Sequence, residues 1–126
     1  VKKIAVANPR HAPYGAAAVA AMKALAVYEQ AEPRLVYGEN IAQTAQFVQS
    51  GAADIGIIAL SLAIAPQMKG GGKYREIPLT AYPKMEQGGI ILKTTQEPEL
   101  ARTFRDFVLG RRGRAVLERF GFFLPE

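Results

Sequence analysis

The 126-residue chain has no cysteine, which excludes a disulfide framework, a thiol nucleophile and a thiolate metal site. It has one histidine, His11, so no multi-histidine metal centre can form. No apolar run approaches the roughly 20 residues that cross a bilayer as a helix. A nucleophile elbow, a paired-carboxylate site and a dinucleotide fingerprint are all missing, and no segment repeats. There is neither an initiating Met nor a signal peptide, and the chain opens inside a predicted strand. The expectation is therefore a processed, truncated or excised piece. An enzyme on this chain would lack any acid–base pair to work with.

What is present points to one α/β domain with a real core. Hydrophobic residues make up 49% of the chain, a globular composition. The net charge of +5 raises nucleic acid or a small anion as partners. Arg102, Arg105, Arg111, Arg112, Arg114 and Arg119 all fall in the last quarter. No aromatic reading platform accompanies them, and the nearby phenylalanines follow an apolar helical stripe. They read as a solvated helix face and not as a nucleic-acid surface.

Residues 3–7 read as a buried strand, and Pro13 suits the first position of a helix, where its missing N–H costs nothing. Alanine is dense from Ala16 to Ala26, which favours helix and close packing on a sheet. Residues 34–38 are a second strand. Asn40 is a good N-cap, Gln43 completes a capping-box pattern, and Gly51 stops the helix after about Ser50. Residues 54–59 predict a third, fully buried strand. This alternation implies parallel pairing with right-handed crossovers. Beyond it, Lys69–Lys73 reads as a flexible loop without phosphate-loop spacing. Residues 75–82 look extended, with Pro78 favouring an edge or irregular strand, and residues 88–93 read as another buried strand. An amphipathic helix over 97–109 carries Leu100, Phe104, Phe107 and Val108 on one face. A short helix over about 111–120 and the run Gly121–Pro125 follow.

Two segments carry the chemistry: Asn8-Pro9-Arg10-His11-Ala12-Pro13-Tyr14-Gly15 and Tyr37-Gly38-Glu39-Asn40-Ile41-Ala42-Gln43. Each follows a strand, opens a helix and has no acidic side chain in that helix's first turn. Helix starts of this kind offer free N–H groups and a positive dipole end to an anion. In the first, Pro13 leaves Tyr14 as the first residue with a free amide, and Gly15 adds no bulk. In the second, Ile41 follows the Asn40 cap, so only main chain would touch a ligand. Each segment alone is equally an ordinary capped helix; together they lie where open parallel sheets bind ligands, beyond the strands' carboxyl ends. His11 lacks a partner carboxylate at a telling spacing and reads as a loop-shaping or solvent-facing residue.

The pattern Asn8-Pro9-x-His11-Ala12-Pro13-Tyr14-Gly15-x-Ala17-Ala18 resembles the signature of the periplasmic molybdate-binding proteins of ABC-type uptake systems. Tyr37-Gly38-Glu39-Asn40-Ile41, followed by Gln46-Phe47-Val48-x-Ser50-Gly51-x-Ala53-Asp54-x-Gly56, is similar to that family's next block. The closing Phe120-Gly121-Phe122 is also similar. The resemblance implies a type II periplasmic-binding-protein-like lobe, mostly parallel sheet flanked by helices. Residues 1–94 would form the ligand-binding lobe, and helices within 95–126 would pack on a first lobe that this chain lacks. It implies backbone donation to the oxyanion from Tyr14 and Ile41, with Pro13, Gly15 and Asn40 around them. No catalytic residue, no cofactor and no metal beyond the molybdate or tungstate oxyanion is implied. The position where some members place a ligand-binding tyrosine is Ala59, and Arg10 stands where many carry Glu.

The resemblance further implies a periplasmic location and an ABC permease as membrane partner. With half the ligand shell outside it, the chain alone is expected to bind weakly or not at all. Its apolar C-terminal stripe is expected to drive self-association as a dimer, with exchange of the C-terminal helices as one arrangement. A sulfate or other oxyanion receptor, and a cytoplasmic oxyanion-sensing module of a regulator, are the alternatives.

Overall fold

The structure, a computed structural model, describes residues 1–124. Pro125, the last residue of the terminal run, lies outside the described residues. The chain divides into two compact units, Val1–Met85 and Glu86–Glu126. The division falls before the 88–93 segment, whereas the sequence places it after that segment.

The first unit is built on a three-stranded parallel sheet of order β2-β1-β3. The strands are β1 (Ile4–Ala7), β2 (Leu35–Gly38) and β3 (Ile55–Gly56). β1 is central, with Ala7 level with Gly38 on one side and Ala5 level with Gly56 on the other. Central strands of parallel sheets are covered on both faces, and Ala5, Val6 and Ala7 are fully buried. Helix α1 (Pro13–Ala24) connects β1 towards β2, with Pro13 at its start and Gly15, Ala18, Ala21 and Met22 buried. That spacing forms one helical face, which packs on the sheet. Val6, Ala18, Met22 and Ala31 form the core, with Ile4, Val19, Tyr28, Leu35 and Ile57 against it. A short helix α2 (Tyr28–Ala31) and a 3₁₀ turn at Glu32–Arg34, neither legible in the sequence, complete the crossover. Helix α3 (Ile41–Gln49) then leads from β2 to β3.

Glycines decide how closely these layers meet. A Cβ on Gly15 would overlap the Ala7 carbonyl, so α1 sits directly on the end of β1. A Cβ on Gly38 would stand 2.6 Å from the Thr44 hydroxyl oxygen. Thr44 is itself fully buried and donates to the Asn40 carbonyl at 2.9 Å.

Three sequence expectations need correcting. The third strand is not six buried residues: only Ile55–Gly56 join the ladder, and Ile55 is 46% exposed. β3 is an edge strand, so it lacks the second neighbour that would extend and cover it. Its path continues through an Ile57 N–H bonded to the Ala5 carbonyl at 2.9 Å, into a short helix α4 (Leu60–Ala63). Residues 88–93 are not a buried strand either; they join no ladder, and Ile90 is 85% exposed. A strand needs a neighbouring edge for its main-chain groups. Among the described residues of the second unit the regular elements are two helices, α5 (Pro98–Leu109) and α6 (Arg111–Arg119), which pack on each other. The expected extended run 75–82 is irregular, with one 3₁₀ turn at Leu79–Ala81.

Candidate oxyanion site at the carboxyl edge of the sheet

Both chemistry-bearing segments emerge from neighbouring strands at the same edge of the sheet. An inventory of the main-chain donors in the first loop leaves one over. The Asn8 N–H bonds the Gly38 carbonyl at 2.8 Å. That of Arg10 bonds the Asn8 side-chain oxygen at 3.0 Å. The amides of His11 and Ala12 both donate to the Asn8 carbonyl, and those of Gly15 and Ala16 both donate to the Ala12 carbonyl. Pro9 and Pro13 have no N–H. Tyr14 alone keeps an amide without an acceptor among the described residues.

The second loop reaches a similar result by another route. Asn40 caps α3 through its side-chain oxygen, which accepts from the Gln43 amide at 2.9 Å. In a standard capping box Gln43 would reach back to the amide of the cap residue. Here its side-chain oxygen accepts from Glu39 N–H instead, at 2.7 Å. The amides of Asn40, Ile41 and Ala42 therefore have no acceptor among the described residues. Neither α1 nor α3 has an acidic residue in its first turn, although Glu39 stands just before the α3 cap with its carboxylate 3.7 Å from His11 Nε2.

The remaining candidates take different parts. The Gly15 amide is consumed by Ala12, and the residue's small size serves packing against β1. Pro13 occupies the first helical position and shapes the turn. Ala59 precedes α4 and is 5% exposed, a methyl that offers no hydrogen bond.

The sequence left His11 as a loop or solvent residue, and the structure gives it a partner. Its Nε2 lies 2.9 Å from the Glu39 carbonyl and 3.7 Å from the Glu39 carboxylate. A carbonyl only accepts, so this bond puts a proton on Nε2. The partners are 28 residues apart, beyond the reach of any local spacing rule.

An open hollow of about 240 Å³, lined by Asn8, Pro9, Arg10 and Tyr37, lies along these connections. A larger one, about 420 Å³, is lined by Lys23, Ala26, Tyr28 and Glu29 at the other end of α1. Helix carboxyl ends present carbonyls, the wrong polarity for an anion. Neither hollow is lined by Tyr14 or Ile41. Among the described residues no group of three or more His, Asp or Glu side chains could hold a metal ion. No helix there is long and apolar enough to cross a membrane.

Sheet order, parallel pairing and flanking helices define an α/β lobe of the type II periplasmic-binding-protein kind. The chain belongs to the bacterial extracellular solute-binding protein family, whose sequence profile matches residues 1–123. It is 35% identical over 122 residues to the molybdate-binding protein ModA of Rhodobacter capsulatus, covering 97% of this chain and 47% of the relative. It is 34% identical to ModA of Azotobacter vinelandii, over 96% of this chain and 48% of that protein. The solved periplasmic molybdate-binding protein of Azotobacter vinelandii superimposes with a TM-score of 0.90 at 30% identity. That match covers 99% of this chain and 55% of the solved one. The chain thus spans about half the length of the curated relatives it matches. These relatives are binding proteins and not enzymes.

Proposed function

We propose that this chain is one lobe of a two-lobed periplasmic receptor that captures molybdate, or the isostructural tungstate, and delivers it to an ABC permease. The observation that carries this reading is the pair of acid-free helix starts with unpaired amides at Tyr14 and Ile41. Likeness to molybdate-binding proteins over nearly the whole chain supports it.

Molybdate is a fully deprotonated dianion at neutral pH, so it accepts hydrogen bonds and donates none. A shell of backbone donors matches it; phosphate, which keeps a proton, would want an acceptor as well. Pro13, Gly15 and Asn40 shape the two starts, while the donors are main-chain groups of Tyr14 and Ile41. The helix dipoles supply positive potential without a full counter-charge. Closure of a second lobe over this edge would bury the ion and present a changed surface to the permease. The exposed apolar residues of α5 and α6 would meet that second lobe or, in the isolated chain, a second copy.

Calorimetry with molybdate, tungstate, sulfate and phosphate tests the reading on the longest natural polypeptide containing this chain. Tight binding of molybdate and tungstate, weak binding of sulfate and none of phosphate is expected. A preference for sulfate, or no oxyanion binding, refutes the assignment. The 126-residue chain alone is expected to bind weakly or not at all.

A further inference from the structure

We infer that His11 is a positioning residue of the oxyanion site, whose imidazole clasps the two helix-opening loops and so sets the anion size that the paired amides accept. The inference rests on the receptor reading above. The loops are joined at their base by the Asn8 N–H to the Gly38 carbonyl, which extends the β1–β2 ladder. Farther out, the His11 Nε2 bond to the Glu39 carbonyl is the one hydrogen bond among the described residues that ties residues 9–14 to residues 39–41. It anchors the chain shortly before Tyr14 in one loop and shortly before Ile41 in the other. Outside the strand ladder, this single imidazole contact links the two loops that carry the free amides. The ring also faces the Glu39 carboxylate at 3.7 Å. That carboxylate belongs to the residue just before the α3 cap, where an unrestrained negative charge would oppose a dianion.

Donors held at a fixed separation favour one radius of tetrahedral anion, and a looser pair tolerates a smaller one. With His11→Ala the loops stay joined at Asn8 and Gly38 but lose the outer tie. In the longest natural polypeptide, molybdate affinity is then expected to fall about 5- to 10-fold, the scale of one lost hydrogen bond. Sulfate affinity is expected to change little, so the molybdate-to-sulfate ratio collapses by a similar factor. His11→Gln, whose side-chain amide can donate to the same carbonyl, is expected to recover most of the ratio. A merely structural histidine would not produce that selective loss and rescue. Wild-type affinity and ratio in His11→Ala, or no recovery in His11→Gln, overturns the clasp while leaving the receptor reading intact. A wild-type protein that binds no oxyanion refutes the receptor reading and the clasp with it.

Discussion

If recognition is by peptide groups, as proposed, the side chains at the key positions are replaceable while the backbone is not. Ile41 offers a direct test because it occupies the first helical position of α3. Proline is well tolerated at such a position, and the extended Asn40 backbone (φ −149°, ψ 174°) suits a residue preceding proline. Ile41→Pro should leave the melting temperature almost unchanged while removing one donor to the anion. Titration should show molybdate binding weakened by about 1.5–3 kcal/mol, the range for a hydrogen bond to a charged group. Ile41→Val, which keeps the amide, should bind as the parent does. Gly15 fails for the opposite reason. Its alanine variant would press a methyl into the Ala7 carbonyl, forcing α1 off β1. Chemical denaturation should register a loss of about 1–3 kcal/mol, typical of overpacking.

At the level of elements, three parallel strands are ordered by contacts at both ends. The carboxyl ends are tied by Asn8 to Gly38 and by His11 to Glu39. The opposite end is closed by Asp54, whose carboxylate accepts from the amides of Lys2 at 2.6 Å and Lys3 at 2.9 Å. Those bonds, Lys3's first and Lys2's second, hold the Asp54 carboxyl below its ordinary value. A carboxyl depressed in the folded state stabilises fully above its unfolded pKa, and the benefit disappears as pH falls through the folded value. The tie should thus be intact at neutral pH and be lost only below the usual carboxylate range. Asp54→Asn should flatten this part of the acid limb in a pH series of thermal melts. An acid limb identical in the variant and the parent would show that Asp54 contributes nothing to it.

For the chain as a whole, large apolar side chains stand exposed on the second unit. Phe104 is 67% exposed and Leu100 65%, both on the amphipathic helix whose apolar stripe the sequence leaves without a partner surface. Apolar stripes of this kind associate. Sedimentation of the isolated chain should show a concentration-dependent dimer, which Phe104→Glu should convert to monomer. A monomer at all concentrations would show that the stripe does not drive association.

Local chemistry was enough to place β1, β2, α1 and α3, because proline at a helix start, an Asn cap and a stopping glycine act within a few residues of themselves. It also placed both helix starts and marked Tyr14 and Ile41. It did not reach the longer contacts made around those helix starts. Gln43 chooses Glu39 over its own cap residue, and His11 bonds a carbonyl 28 residues away. Nor did it foresee that 54–59 shortens at a sheet edge or that 88–93 pairs with nothing among the described residues. Hydrophobic sequence alone makes a segment eligible to be a strand. Whether it becomes one depends on a neighbouring edge that satisfies its peptide groups, and that edge comes from residues distant in the chain.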